Sequence, residues 1–398
     1  MAGDLHRPAI DRPWVPAPNP RGVPSTVPYR LPRRHSIGFY VMVAGLVLLG
    51  VAGFIVVLPL LTESAGTGAA ARSGIIALIP VVVVTAIIWW IDSWEPEPHW
   101  IMIAMFLWGG GVAVAIAAWL NSAWAESFYL ATGNAAKASI WGAVVSAPLV
   151  EEAAKGLGVI LVFVFFKKHL NGPLDGIAYG AMSGLGFAFT ENILYFTRYF
   201  DYLQEIAILR FSSPLLHPLC TAVIGMFLGF AVYARSRWAA LPLLVPGYLI
   251  AAAIHFMHNG WATIAGSQTD GSMSFNYLAV QIPSYLAAVI LVVWFRREES
   301  LIIAERLGEY QRAGWLAPYE VEMLGSLEGR KRARDWAASR GPHAKEAMKR
   351  FQQEATHLAL NRQRAALQTI PVAAAQREEA KTLATIGQAR AIFMTGVR

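Results

Sequence analysis

The apolar residues of the chain fall into eight long stretches of 19 to 28 residues, separated by short polar segments. A helix needs about 20 apolar residues to cross the hydrocarbon core of a bilayer. The pattern therefore predicts an all-α fold, a polytopic helical membrane protein of about eight transmembrane helices. The predicted spans are residues 37–61, 73–91, 100–120, 139–166, 176–199, 212–234, 238–264 and 275–295.

The composition agrees with this pattern and excludes an ordinary soluble domain. Apolar residues make up 56% of the 398 residues and charged residues 15%, whereas a soluble domain has about 25% charged residues. The mean hydropathy is +0.44. The single cysteine, Cys220, excludes an intrachain disulfide and a zinc site built from cysteines.

The net charge of +7 is concentrated at the two ends of the chain. Residues 1–36 carry a net charge of +4, residues 37–295 of −3 and residues 296–398 of +6. Positive charge that flanks membrane spans indicates the cytoplasmic side, so both termini are predicted to be cytoplasmic and no nucleic-acid partner is expected. The predicted parts are a disordered Pro/Arg-rich arm (1–36), a membrane domain (37–296) and a basic, amphipathic helical cytoplasmic tail (297–398).

Ionisable side chains are concentrated in the fourth to seventh spans, although each costs about 2.5 to 3.5 kcal/mol at the depth of the bilayer. Four of them are predicted to lie at similar depths, because a helix rises about 1.5 Å per residue. They are Glu151, Glu191, His217 and His255, at roughly 18, 12, 8 and 14 Å below the outer surface. The sequence therefore predicts one polar layer in the outer leaflet, formed by four helices.

This polar layer contains the groups that hydrolytic chemistry requires. Glu151 and Glu152 point about 100° apart on a helix, and Lys155 is within ion-pair reach of either one. One carboxylate can therefore be neutralised while the other activates water, and a histidine can protonate a leaving amine. His255 and Asn259 are four residues apart and face the same way, which suits binding of an oxyanion. A buried ion pair and ordinary core histidines remain the structural alternatives.

Small residues in the fifth and sixth spans predict close packing of two helices. Gly180 and Gly184 are four residues apart, as are Gly225 and Gly229. This spacing lets helix backbones approach each other closely in lipid. His258 lies on a different face from His255 and is interpreted as structural.

The ordered set of motifs resembles the PrsW family of intramembrane proteases, which are relatives of the CAAX prenyl protease and bacteriocin-processing superfamily. The resemblance covers roughly residues 80–296. It is carried by E-E-x-x-K (Glu151, Glu152, Lys155), by G-L-G-F-A-F-T-E-N-I-L-Y (184–195, with Phe187 and Glu191), by His217, by H-x-x-x-N (His255, Asn259) and by the loop D-S-W-E-P-E-P (92–98). In much of the wider superfamily the second motif ends in His, where this chain has Glu191.

The resemblance implies an intramembrane endopeptidase of a bacterial cell membrane that cuts a membrane-anchored protein, for example an anti-sigma factor. The depth of the polar layer favours a cut near the outer face. The roles implied are activation of water by Glu151 and Glu152, completion of the site by Glu191 and His217, and stabilisation of the tetrahedral intermediate by His255 and Asn259.

Two questions remain open on the sequence alone. Water activated by glutamate needs no cofactor and is favoured, but two histidines and a glutamate could instead hold Zn²⁺. The competing functions are a proton- or ion-coupled transporter and a non-catalytic membrane scaffold. A transporter predicts an inverted repeat, and the first half of the chain has no counterpart of the polar motifs.

Overall fold

The computed structural model of the chain describes residues 37–63, 65–166, 169–234, 240–266 and 273–395. These residues form helices and turns, with no β-strand among them, so the predicted all-α fold is confirmed. They divide into two compact units, one ending at Arg297 and the other beginning at Glu298. The predicted arm (1–36) and the loop residues Lys167, Lys168, Arg235 and Arg237 lie outside the described residues.

Within the described residues, the first unit consists of ten α-helices and the beginning of an eleventh. Two π-helical segments, Trp108–Ala113 and Gly142–Ser146, join α3 to α4 and α5 to α6. The helices are α1 (Ile37–Thr62), α2 (Gly66–Ile91), α3 (His99–Leu107), α4 (Val114–Thr132), α5 (Ala135–Trp141), α6 (Ala147–Phe165), α7 (Pro173–Arg198), α8 (Leu203–Phe211), α9 (Leu216–Ala231), α10 (Ala240–Gly266) and α11 (Met273–Arg312).

Five helical segments among the described residues are long and apolar enough to cross a membrane. They are Val43–Thr62, Gly66–Ile91, His99–Thr132, Phe200–Ala231 and Ala240–Thr263. Helices α6 and α7, in the predicted fourth and fifth spans, carry charged side chains that include Glu151, Glu152, Lys155 and Glu191, and they are therefore less apolar. The chain is a multi-pass helical membrane protein.

Helix α7 lies at the centre of the first unit because its glycines let neighbouring backbones approach. A Cβ atom on Gly180 would collide with the backbone of Thr221 in α9, and one on Gly184 with the backbone of His217. On another side of α7, a Cβ atom on Gly186 would collide with the backbone of Phe106 in α3. The close packing predicted from the glycine spacing is confirmed, and it fixes the position of α9 relative to α7.

A cluster of buried polar side chains, separate from the predicted layer, connects the loop 92–98 to the first half of α7 through hydrogen bonds. The Asp92 carboxylate accepts a hydrogen bond from the backbone N–H of Glu97 (2.7 Å), and the Tyr179 hydroxyl donates to the Glu97 carboxylate. Tyr179 also contacts the backbone oxygen of His169 (3.0 Å). Burial, together with the nearby charges of Asp175 and Asp92, raises the pKa of Glu97 well above its usual range.

We expect Glu97 to make the stability of the folded protein depend on pH. The folded state holds the Glu97 proton more tightly than the unfolded state, so stability should fall as pH rises from the usual carboxyl pKa towards the raised one. Glu97→Gln mimics the protonated form and should flatten this slope. The measurement is the thermal midpoint in detergent between mildly acidic and mildly alkaline pH, with Glu126→Gln, an exposed carboxyl on α4, as the control. Parallel slopes for wild type and Glu97→Gln would contradict the prediction.

The second unit is a helical bundle with polar contacts in its interior. It contains the end of α11 with α12 (Pro318–Leu324), α13 (Leu327–Ala338), α14 (Pro342–Ala366) and α15 (Val372–Thr395). The buried Tyr310 hydroxyl donates a hydrogen bond to Glu379 (2.6 Å), and the buried Arg330 guanidinium donates to Thr356 (2.8 Å). These helices form the region predicted as the cytoplasmic tail.

Candidate active site

Helix α6 places Glu152 and Lys155 in the interior, where both side chains are completely buried. The Lys155 ammonium lies 2.6 Å from Glu152 Oε1, and the same oxygen is 2.8 Å from Nδ1 of His255. The other oxygen, Oε2, accepts a hydrogen bond from the Thr221 hydroxyl (3.2 Å). The carboxylate of Glu152 is therefore saturated by three partners, which suits a group that holds others in position.

Glu151 has a different environment from its neighbour. Its Oε1 accepts a long hydrogen bond from the Asn121 amide (3.4 Å), and the Asn121 oxygen accepts one from the Ser146 hydroxyl (2.8 Å). Its Oε2 is buried and has no hydrogen-bond partner among the described residues. The nearest imidazole nitrogen, Nε2 of His255, is 3.9 Å away, too far for a direct hydrogen bond. This oxygen therefore has an unused capacity to accept a hydrogen bond.

His217, on the first turn of α9, links Lys155 of α6 to Glu191 of α7. Its Nδ1 is 3.0 Å from the Lys155 ammonium, and its Nε2 is 2.6 Å from Oε2 of Glu191. An ammonium group only donates hydrogen bonds, so Nδ1 accepts and Nε2 carries the proton that is donated to Glu191. The contacts therefore fix the tautomer of His217. Phe187 covers the ammonium of Lys155, with 4.3 Å between Nζ and the ring centroid.

Glu191 also pairs with Arg210, which the sequence analysis did not identify as a site residue. Nη2 of Arg210 lies 2.6 Å from Oε2 of Glu191, and its Nε donates to the side-chain oxygen of Asn192 (2.7 Å). Arg210 belongs to the short helix α8, outside every recognised motif. Its position seven residues before His217 was the available signal, because a charge so close to an apolar span requires a partner.

The structure brings five of the six predicted site residues together and leaves the sixth apart. Glu151, Glu152, Glu191, His217 and His255 form one connected cluster. The Asn259 amide instead donates a hydrogen bond to the backbone oxygen of Ala143 in the second π-helical segment (2.8 Å). Its predicted role in binding an oxyanion remains a prediction. His258 is buried against Gln281, as expected of a structural residue.

A cavity of about 600 Å³ opens beside the cluster, with Glu151 and Glu191 in its wall. The apolar part of its lining comes from three helices and includes Leu60 of α1, Val114 and Ala117 of α4, and Leu194 of α7. Two exposed charged side chains, Glu63 and Arg198, also line it. The carboxylate with the unpartnered oxygen is therefore reachable by a molecule that enters this cavity.

Comparison with known protein families matches residues 97–297, half of the chain, to the PrsW family, described as "PrsW family intramembrane metalloprotease". The chain belongs to the PrsW family. It is 31% identical over 164 residues to "Protease PrsW" of Bacillus subtilis (strain 168), a match that covers 40% of this chain and 70% of that protein. It is 32% identical over 162 residues to "Protease PrsW" of Geobacillus kaustophilus (strain HTA426), a match that covers 40% of this chain and 67% of that protein. No solved structure matches the chain.

Membership of the PrsW family makes the chain a membrane-embedded peptidase. The matched region contains all six predicted site residues, and also Asn121 and Arg210. It does not include α1 or the second unit. The cluster and the cavity beside it are therefore where the peptidase chemistry of this PrsW-family chain is expected.

The family description raises the question of a metal ion, which the donor atoms of the cluster can test. Glu151, His217 and His255 can each offer one atom, and these atoms all lie within 4.8 Å of one another. A catalytic zinc ion takes three protein ligands and a water. Both ring nitrogens of His217 are already engaged, one by the Lys155 ammonium and the other by Glu191. The described arrangement therefore supplies two suitable donors and does not fit a three-ligand zinc site.

Proposed function

We propose that this PrsW-family chain is an intramembrane endopeptidase that hydrolyses a peptide bond of a membrane-anchored protein, such as an anti-sigma factor, with water activated by Glu151. The observation that carries the proposal is the buried, unpartnered Oε2 of Glu151, a residue that lines the cavity; this oxygen lies 3.9 Å from Nε2 of His255. A desolvated carboxylate oxygen of this kind is a suitable acceptor for a proton from water.

The pairing of charges supports the choice of Glu151 over the other two carboxylates. Glu152 is paired with Lys155, and Glu191 is paired with Arg210. No lysine or arginine of the described residues forms an ion pair with Glu151. Glu151 is thus the carboxylate that is left to accept a proton, while the other two hold imidazoles in place.

The two histidines have separate tasks in this proposal. Glu152 accepts a hydrogen bond from Nδ1–H of His255, which directs Nε2 of His255 towards Glu151 and the reacting groups. After Glu151 has taken a proton from the attacking water, His255 can stabilise the negative charge on the tetrahedral intermediate in its doubly protonated form, in which Glu152 accepts a hydrogen bond from Nδ1–H and Nε2–H donates to the oxyanion. Collapse of that intermediate requires a proton on the leaving amine, which protonated Glu151 can return. His217 keeps Lys155 and Glu191 aligned on the other side of the cluster.

The orientation in the membrane is part of the same proposal. The Arg-rich arm and the basic residues after the fourth, sixth and eighth predicted spans favour cytoplasmic termini in the cell membrane. The polar cluster then lies in the outer leaflet, and the cut falls near the outer face. Such a cut would release the external part of a single-pass substrate.

A census of new protein N-termini tests the proposed activity. Membrane and secreted fractions of cells that express the wild type are compared with those of cells expressing equal amounts of Glu151→Gln or Glu152→Gln. We expect new termini just outside a transmembrane segment that occur only with the wild type. Identical profiles in all three strains would overturn the proposal and favour a non-catalytic scaffold.

We further propose that hydrolysis needs no bound metal ion, because the ammonium of Lys155 already contacts the third potential ligand, His217. Elemental analysis of the purified, active protein should find far less than one transition-metal ion per chain, and a chelator should leave its activity unchanged. One zinc ion per chain that is lost in Glu151→Gln, together with inhibition by the chelator, would contradict this prediction.

A further inference from the structure

We propose that Arg210 is a positioning residue of the active site: it anchors the Glu191 carboxylate so that Glu191 holds His217 in the orientation and tautomer described above. The inference rests on the proposed peptidase function. It assigns a role in the reaction to α8, a short helix outside all of the recognised motifs.

The contacts of Arg210 fix the guanidinium in three ways. Its Nη2 donates to Oε2 of Glu191 (2.6 Å), and its Nε donates to Oδ1 of the adjacent Asn192 (2.7 Å). The guanidinium carbon lies 4.7 Å from the centroid of the Tyr195 ring, one turn further along α7. The side chains of Arg210 and Glu191 are 18% and 19% exposed, so water screens their ion pair only partly.

The geometry requires the guanidinium of an arginine. A planar guanidinium offers donors in a fixed fork and can hold Glu191 and Asn192 at the same time, while it also stacks on an aromatic ring. A lysine at this position would keep the positive charge but lose the fork. The contacts to two adjacent side chains of α7 are therefore specific to arginine.

The anchored oxygen is the same one that contacts the histidine. Oε2 of Glu191 lies 2.6 Å from Nη2 of Arg210 and 2.6 Å from Nε2 of His217. If Arg210 is removed, the Glu191 side chain loses its fixed orientation and His217 loses its fixed partner. The other nitrogen of His217 contacts Lys155, which pairs with Glu152. Loss of Arg210 therefore alters the positions of His217, Lys155 and Glu152, although Arg210 itself is not expected to touch the substrate.

Helix α8 is itself attached to α7 by an aromatic contact next to Arg210. The Phe211 ring meets the Phe196 ring edge to face, with 5.9 Å between the centroids. The exposed side of α8 carries Ile208 and Leu209. A surface helix that is anchored to α7 in this way thus positions a group of the active site.

The test measures kcat and KM separately for Arg210 variants of the purified, full-length protein. The probe is a quenched fluorescent peptide that spans a cleavage site found in the census of N-termini. Arg210→Ala should lower kcat about 100-fold, since small displacements of catalytic groups have effects of that size. Arg210→Lys should lower kcat about tenfold, because it keeps only the charge. KM should change less than kcat in both variants, because Arg210 does not touch the substrate.

Chemical rescue separates positioning from a general loss of structure. Millimolar guanidinium should raise the activity of Arg210→Ala severalfold and leave Glu191→Gln unchanged, because the added ion can replace only the missing guanidinium. The control is Arg72→Gln, which removes an exposed arginine of α2 and should match the wild type. Arg210→Lys remains informative if Arg210→Ala does not fold.

Three results would overturn the inference: wild-type kcat in Arg210→Lys, an effect confined to KM, or a failure of guanidinium to rescue folded Arg210→Ala. Glu151→Gln in the same assay distinguishes this failure from failure of the proposed function. If Glu151→Gln is inactive while Arg210→Lys has wild-type activity, only the role of Arg210 is wrong. If Glu151→Gln is as active as the wild type, the proposed function is wrong and the inference falls with it.

Discussion

Glu151→Gln is expected to lower the rate of peptide hydrolysis about 1,000-fold, the range expected when a general base is removed. Glutamine has the same size but cannot accept the proton of the attacking water. Because Oε2 of Glu151 has no partner among the described residues, the substitution removes no ion pair with lysine or arginine. The variant should therefore fold as well as the wild type, and the loss should fall on kcat. The measurement is hydrolysis of the fluorescent peptide at saturating concentration.

Glu152→Gln is the matched control for this prediction, since it changes the adjacent residue in the same way. It leaves the ammonium of Lys155 buried with a weakened partner, and breaking a buried ion pair costs about 3 to 5 kcal/mol. We expect this variant to lose thermal stability as well as activity. Equal losses of stability in both variants, or an active Glu151→Gln protein, would contradict the distinction drawn between the two glutamates.

Gly184→Ala is expected to lower both stability and activity, because a single methyl group would lie between α7 and α9. The added Cβ atom would be 2.5 Å from the carbonyl carbon of His217 and 2.7 Å from the nitrogen of Pro218. Backbone atoms cannot rotate away as a flexible side chain can, so the helices must separate. Overpacking of this kind costs about 3 kcal/mol. The separation also displaces His217, which should lower kcat about 100-fold.

The control for this prediction is Gly74→Ala in α2, where the nearest atom to an added Cβ is Cδ1 of Ile193 at 3.8 Å. That contact is an ordinary one, and alanine favours a helix more than glycine does. Gly74→Ala should therefore keep full activity and at least wild-type stability. The measurements are thermal unfolding in detergent and hydrolysis of the peptide. A Gly184→Ala protein with wild-type kcat would show that the crossing of α7 and α9 is more tolerant than the backbone contacts indicate.

The sequence predicted the helices that carry the cluster and most of its members. The spacing of Glu152 and Lys155 allowed an ion pair, but it allowed one with Glu151 equally well. The choice depends on α9 and α10, whose Thr221 and His255 contact Glu152. Periodicity along one helix identifies which residues share a face, whereas the partner of each side chain depends on the packing of other helices.

The dependence of side-chain partners on helix packing also explains the residues that the sequence analysis missed or placed differently. Asn121 and Arg210 belong to no motif, and they reach Glu151 and Glu191 only through the packing of α4 against α6 and of α8 against α7. Asn259 shares a helix face with His255, but its amide finds the backbone oxygen of Ala143 in a π-helical segment. Such a segment leaves a carbonyl in a position that a regular α-helix does not, and a hydrophobic pattern does not reveal it.

The origin of the cavity wall has a consequence for how such proteins diverge. Leu60 and Glu63, at the end of α1, line the cavity beside Glu151 but lie outside residues 97–297, the part of the chain that the family shares. The proposed reacting groups and part of the cavity wall beside them are therefore encoded in separate stretches of the chain. Substitutions in α1 can change which polypeptides are accepted while the hydrolytic groups stay the same, so orthologues with identical motifs need not share a target.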